Sequence, residues 1–395
     1  MKFSTLTRRI SGESVDSWAV HYAGLARREA GEDVIILSVG QETDEYTDDE
    51  IVSSAIASLR NGRHHYAQVE GALSLRQAIA KRHNELTGQG VDESNCAVFA
   101  GAQNALFAAA QCVLEHGDEV ILIEPYYTTY LATFTASGAT LVSVVATAEN
   151  NFQVNPDDVL AAITERTKAI VLNSPNNPTG AVYTLEQFKP IVDACVEKEI
   201  WLINDEVYQE ILLPQERASP ASLPGADRVC VTVSSLSKSH RMTGWRLGWI
   251  VGPKPLMENL YNLSMCMAYG LPEFIMDAAV TAFQTGAVTA EAVRKNMDSR
   301  RKIVVDKLQE MDGLKIFASA GGMYVVLDVR ASGVSSRDFA RNMLDQYDVA
   351  VLPCDGFGES GRGLIRVSLC VPENKLIIAC ERIIEYVKTM KQNLA

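Results

Sequence analysis

Lys238 lies in the run Ser234 to Trp249, SSLSKSHRMTGWRLGW, a serine-flanked lysine with Arg246 eight residues on. The segment before it, Val229 to Val233, has the β-branched density of a buried strand, so the serines and the lysine fall in the loop at its carboxyl end. Open α/β sheets hold their ligands at that edge. A primary amine beside hydroxyls and a guanidinium able to grip a phosphate is what Schiff-base chemistry with pyridoxal phosphate requires. A lone lysine is more often a solvated surface group. The chemical reading therefore depends on what other loops bring to the same edge.

Several strand ends carry complementary groups. Ala100 to Leu106 (AGAQNAL) follows a strand and opens an alanine-rich helix, whose first amides, Gly101 to Gln103, can cradle an anion. Gly101 as a simple tight turn is the competing reading. Asn173 to Gly180 (NSPNNPTG) is an irregular loop, stiffened by two prolines, that presents Asn177. Trp201 to Tyr208 (WLINDEVY) puts Asp205 at the end of an apolar strand, where a buried carboxylate needs a positive partner. A protonated pyridinium nitrogen would be one. Arg366, inside the apolar strand GLIRVSL, has the planar fork that suits an α-carboxylate, or else an ion pair within its own domain.

The elements that must position these groups are legible from periodicity. Residues 95 to 252 alternate strand and helix, as in a mainly parallel sheet covered on both faces. The expected strands are Ala97 to Ala100, Glu119 to Ile123, Thr140 to Val145, Ala169 to Leu172, Trp201 to Asn204, Val229 to Val233 and Leu247 to Val251, with a further one at Val34 to Val39. Long helical stretches follow around Leu256 to Gln284 and Glu291 to Met311. Short strands at Gly322 to Val329 and Leu364 to Leu369, mixed with helices such as Ser336 to Asp345, read as a smaller α+β domain. The expected division is an N-terminal segment, 1–45, joining the small domain, a large domain, 46–285, and a small C-terminal domain, 286–395.

With 395 residues, 47% hydrophobic and 22% charged, the chain has material for both cores and no apolar run long enough to cross a bilayer. A cytoplasmic location is the expectation. Eight dispersed cysteines form no metal-binding or redox spacing, so no metal is expected, and a net charge of -13 argues against a nucleic-acid surface. His64, His65 and His240 have no triad or metal spacing and need no catalytic role.

In order and spacing, NSPNNPTG, NDEVY and SLSK-x7-RLG resemble the class I/II aminotransferases, the fold-type I family of pyridoxal-phosphate enzymes, and the likeness runs from about Gly40 to Arg366. The resemblance implies an α/β fold with a mainly parallel mixed sheet and a smaller α+β domain. It implies that Lys238 tethers the cofactor and carries the proton, and that Asp205 keeps the ring nitrogen protonated. Asn177 and Tyr208 would bond the ring's phenolic oxygen. Ser235, Ser237, Arg246 and the amides of Gly101, Ala102 and Gln103 would bind the phosphate, with Tyr127 stacked on the ring. Tyr66 matches a tyrosine that reaches the phosphate of a neighbouring subunit, implying a homodimer. Arg366 and the backbone at Gly40, with Asn177, would hold the substrate carboxylate. The activity implied is a ping-pong transfer of the amino group between an L-amino acid and a 2-oxo acid.

For the substrate side chain, bacterial aspartate aminotransferases often carry a lysine where this chain has Gln103, which disfavours dicarboxylates. The lysine loop and Cys266 to Ile275 most resemble arginine:pyruvate transaminases, making L-arginine the expected donor and pyruvate the acceptor. Glu42, Asp44 and Glu45, just past Gly40, are candidates to receive the guanidinium; a solvated loop face is the competing reading. Thr47 and Glu50 are expected to form a capping box for a helix over Ile51 to Leu59. Aspartate or aromatic aminotransferases and carbon-sulfur lyases share the fold and stay open as alternatives. A noncatalytic regulatory domain is the third possibility.

Overall fold

Seven apolar runs pair into one sheet in a computed structural model that describes residues 1–11 and 17–394. After the short β1 (Ile35–Ile36) come β2 (Cys96–Phe99), β3 (Glu119–Glu124), β4 (Thr140–Val145), β5 (Thr167–Asn173), β6 (Trp201–Asp205), β7 (Cys230–Ser235) and β8 (Gly248–Val251). The sheet order is β2-β8-β7-β6-β5-β3-β4. β4, β3, β5, β6 and β7 run parallel, whereas β8 is antiparallel to both β7 and β2. The central strands are apolar through their middles because helices cover both faces: Leu202, Ile203, Val231 and Ile170 are fully buried. Each such side chain contributes about 1.5–3 kcal/mol relative to exposure.

A second sheet, order β12-β13-β10-β9, is formed by β9 (Lys315–Phe317), β10 (Tyr324–Asp328), β12 (Leu352–Pro353) and β13 (Leu364–Ser368). All its pairings are antiparallel. β1 pairs in parallel with β11 (Val349–Ala350), tying the N-terminal segment to this region.

Three expectations need correction. The strand expected over Val34 to Val39 shrinks to β1. The Leu37 amide still donates to the Ala350 carbonyl, but its own carbonyl accepts from Ser368, so the chain changes partners from β11 to β13 and the regular ladder stops. The long helical stretch from Leu256 is two helices, Lys254–Met267 and Glu273–Thr285, interrupted by Tyr269 and Gly270 at positive φ and by Pro272; the next helix spans Ala287–Leu308. The expected capping box does not form. Asp48 is the N-cap of a helix over Asp49–Arg60, and the Thr47 hydroxyl instead donates to the Arg241 carbonyl at 2.9 Å. A tertiary partner outcompetes the local one.

Candidate active site

Strand register brings the scattered motifs to one edge. Asn173 at the end of β5 pairs with Asp205 at the end of β6, Asp205 pairs with Val233 of β7, and Ser235 pairs with Gly248, which also pairs with Phe99. The side chains beyond these ends enclose a cavity of about 200 Å³. Of the expected residues, Gly40, Ala102, Gln103, Tyr127, Asn177, Asp205, Tyr208, Ser235, Ser237, Lys238, Arg246 and Arg366 all line it. Tyr66 does not. It is exposed on the surface and packs edge-on to Tyr269 at 5.4 Å.

Asp205 sits at the base of the cavity, 5% exposed. Its Oδ2 accepts from the Tyr130 hydroxyl at 2.5 Å and its Oδ1 from the Val207 amide at 3.2 Å. Burial lifts its pKa to about 6, opposed by those two donors and by the charge of Lys238. A buried carboxyl hydrogen-bonded by neutral donors fits a protonated ring nitrogen. Nearby, the Tyr208 hydroxyl meets Asn177 Nδ2 and the Tyr324 hydroxyl, both at 3.4 Å, long contacts that leave it able to bond a ligand oxygen. Burial, then the neighbouring Tyr324, pushes the Tyr208 pKa well above the usual phenol value, so it stays a donor.

Arg246, also lining the cavity, makes its hydrogen bonds to backbone carbonyls, Thr243 at 2.7 Å and Ala100 at 3.4 Å. Its guanidinium lies against the start of the helix Ala102–Val113. Gly101, at φ +86°, is needed there, because a Cβ would stand 2.3 Å from Arg246 Nη2. A Cβ on Gly248 would stand 2.4 Å from the Ala102 amide nitrogen. A cation, a helix N-terminus and the Ser235 and Ser237 loop thus converge on one anion-sized space, which fits a phosphate ester. Lys238 lines the same cavity, and its Nζ donates to the Gly40 carbonyl at 2.8 Å.

Arg366 comes from β13, the second strand of the small sheet, and is 1% exposed. Nη1 donates to Asn177 Oδ1 at 2.8 Å and Nη2 to the Ser38 carbonyl at 2.6 Å, while Nε has no hydrogen-bond partner among the described residues. The guanidinium stacks over the Tyr324 ring at 4.1 Å. Tyr324 is its diagonal neighbour on β10, since Val326 is the residue paired with Arg366. A buried cation held by neutral acceptors, with only two of its five N-H groups spent, is suited to an incoming carboxylate.

The acidic segment past Gly40 divides in a way the sequence did not reveal. Glu42 is buried, with its carboxylate accepting from Arg241 Nε at 2.8 Å, Asn296 at 3.0 Å and Arg300 at 3.3 Å. Asp44 accepts from Arg300 Nη2 at 2.8 Å. Both are occupied, which corrects the expectation that they serve as receptors. Glu45 is half-exposed and lines a second cleft of about 450 Å³ that shares Gly40, Ser237, Lys238 and Thr243 with the first cavity.

Sequence reasoning missed Tyr130, Tyr324, Arg241 and Arg300, and also Trp18, which lines the cavity. Tyr130 left a faint signal, a third tyrosine in the run EPYYTTY. The others have none, because their partners lie far away in the chain.

Comparison with known proteins agrees with this geometry. The model for the family described as aminotransferase class I and II matches residues 32–383. The arginine–pyruvate transaminase of Pseudomonas aeruginosa is 47% identical over 384 residues, 97% of each chain. The aspartate aminotransferase of Pyrococcus horikoshii is 32% identical over 89% of this chain and 90% of that protein. Among solved structures, the aspartate aminotransferase of Thermus thermophilus with maleate superposes with a TM-score of 0.92 at 31% identity, covering 98% of this chain and 99% of that one.

Proposed function

The chain belongs to the class I and II aminotransferases and is a pyridoxal-phosphate-dependent transaminase, and we propose that it moves the α-amino group of a basic L-amino acid, arginine first, to pyruvate. The observation that carries the reading is Arg366, a buried guanidinium that lines the cavity with Lys238 and spends only two of its N-H groups, both on neutral acceptors. It supplies the bidentate receptor for the α-carboxylate of donor and acceptor alike.

The site residues divide the work. The serines 235 and 237, Arg246 and the helix amides at Gly101 to Gln103 would hold the cofactor's phosphate, Asp205 its protonated nitrogen, and Asn177 with Tyr208 its phenolic oxygen, with Tyr127 against the ring. Pyridoxal phosphate bound there supplies an electron sink that makes the substrate's α-proton acidic. Lys238 Nζ, as tether and then as free amine, removes that proton from the α-carbon and returns it elsewhere on the same face. Arg366, with Asn177 and the Gly40 backbone, fixes the carboxylate so that the α-proton faces the lysine. A second 2-oxo acid bound at Arg366 reverses the sequence and completes a ping-pong cycle. We further propose a cytoplasmic homodimer, in which the exposed Tyr66 reaches a neighbouring subunit's phosphate, and a large domain over 46–285 with a small one built from 286–395 and the N-terminal segment.

Support for a basic rather than a dicarboxylic donor comes from Gln103 and from the named relative. The Gln103 side-chain amide donates to Thr133 Oγ1 at 2.8 Å and accepts from Thr129 Oγ1 at 2.6 Å, so a neutral group already bonded through both its nitrogen and its oxygen stands where a cation would be needed for a second carboxylate. The test is a half-reaction panel, following loss of the cofactor's visible absorbance with each amino acid. Arginine should lead in specificity constant, with pyruvate accepting the amino group. Aspartate or phenylalanine far ahead of arginine would sink the donor assignment.

A further inference from the structure

The cluster beside Gly40 carries three carboxylates, Glu42, Asp44 and Glu45, against two guanidiniums, Arg241 and Arg300. Arg300 is held by Glu42 and Asp44, and Arg241 by Glu42 at 2.8 Å. Glu45 reaches Arg241 only at 3.9 Å and has a side chain 46% exposed. The surplus negative charge of the cluster therefore sits on Glu45. Glu42 cannot release its oxygens to a substrate without taking from two largely buried arginines the carboxylate they share, which would cost more than a substrate contact returns. Glu45 has no such obligation.

Its position also suits a ligand. Glu45 borders the larger cleft, which shares its inner wall, Gly40 and Lys238, with the cavity of Arg366. Lys238, the other cation there, is engaged with the Gly40 carbonyl. The walls beside Glu45 are aromatic. Tyr46 is 83% exposed, and Trp245 is fixed by its indole N-H donating to Thr47 Oγ1 at 3.0 Å. A flat ring with a pinned orientation and a carboxylate at the mouth suit an apolar stem that ends in a planar cation.

Resting on the basic-donor reading above, we propose that Glu45 is the specificity-determining residue that receives the distal cation of the donor, with Tyr46 and Trp245 flanking its stem. Glu42, Arg241, Arg300 and Asp44 form the fixed platform from which it projects.

The experiment compares L-arginine with L-citrulline, its neutral isostere, in the wild-type holoenzyme and in Glu45→Gln and Glu45→Asp. The readouts are the ratio of their kcat/KM values and, by calorimetry, the affinity for 2-methyl-arginine, which has no α-proton to lose. The expected result is an arginine:citrulline ratio that falls about tenfold in Glu45→Gln, the loss of one half-exposed charge-assisted contact, with a parallel fall in 2-methyl-arginine affinity and partial recovery in Glu45→Asp. An unchanged ratio in Glu45→Gln, while wild type prefers arginine, overturns the assignment of Glu45 and leaves the donor reading standing. A wild-type enzyme that does not prefer arginine overturns the donor reading itself, and Glu45 with it.

Discussion

The Tyr130 hydroxyl donates to Asp205 Oδ2 at 2.5 Å, wholly inside the protein, across 75 residues of chain. That bond stabilises the ionised form of a carboxyl that burial would otherwise keep protonated. Tyr130→Phe should raise the Asp205 pKa further above about 6. Cofactor affinity, which needs the carboxylate, is then expected to fall about tenfold near neutral pH. The pH below which binding weakens should move upward. Titration of apoenzyme with pyridoxal phosphate, followed by absorbance from pH 5 to 8, measures both; an unshifted profile would show that Tyr130 does not tune Asp205.

Lys238→Ala removes the amine that is both tether and proton carrier. Turnover should drop by about 10⁴-fold or more, and the visible absorbance of the lysine-bound cofactor should vanish. Normal activity in this variant would rule out a mechanism in which Lys238 carries the proton.

Arg366→Lys keeps the charge but loses the fork. Asn177 Oδ1 and the Ser38 carbonyl are now served by two separate nitrogens of one rigid plane, and a single ammonium cannot serve both and still bind a carboxylate bidentately. The specificity constants for donor and 2-oxo acid should both fall about 10- to 100-fold. A loss confined to one of the two substrates would contradict a shared carboxylate receptor.

Glu42→Ala would leave Arg241 and Arg300, whose side chains are 9% and 5% exposed, without their shared carboxylate. Stripping one partner from a buried ionic cluster costs about 3–5 kcal/mol. Urea denaturation should show a loss of that order, and little change in Glu45→Gln. Equal stabilities for the two variants would refute the division between platform and receptor.

Glu206, next to Asp205 but bonded elsewhere, accepts from Asn204 at 2.6 Å and Ser219 at 2.5 Å, and burial raises its pKa to about 7. Folding therefore favours its protonated form. Stability from this group is complete below the unfolded value near 4.5 and is lost as pH rises to about 7, on the order of 3 kcal/mol in all. Glu206→Gln should abolish that slope and gain on wild type in melting temperature between pH 5 and 8. Parallel melting curves across that range would show that Glu206 ionises without cost.

Much of the site was legible because its residues sit at the ends of regular elements. Asn173, Asp205 and Ser235 close apolar strands of ordinary length, and parallel pairing of β5, β6 and β7 without slippage brings such ends to one edge. Gly101 was legible as a turn, and its collision with Arg246 gives the reason for glycine. Helix starts were less secure. Thr47 looked like a cap and instead bonds to Arg241, because a distant carbonyl competes for the same hydroxyl.

The sequence by itself determined the order of strands and helices, the motifs at their ends and the lysine that must hold the cofactor, since periodicity and turn chemistry act over a few residues. Only the tertiary structure decided which side chains meet. Arg366 finds Asn177 across 189 residues and Ser38 across 328, and Glu42 finds Arg300 across 258. Three neighbouring acids of equal standing in the sequence became a buried Glu42 and a partly exposed Asp44, both paired with arginine, and one half-exposed carboxylate, because burial and pairing depend on what the folded chain packs against them.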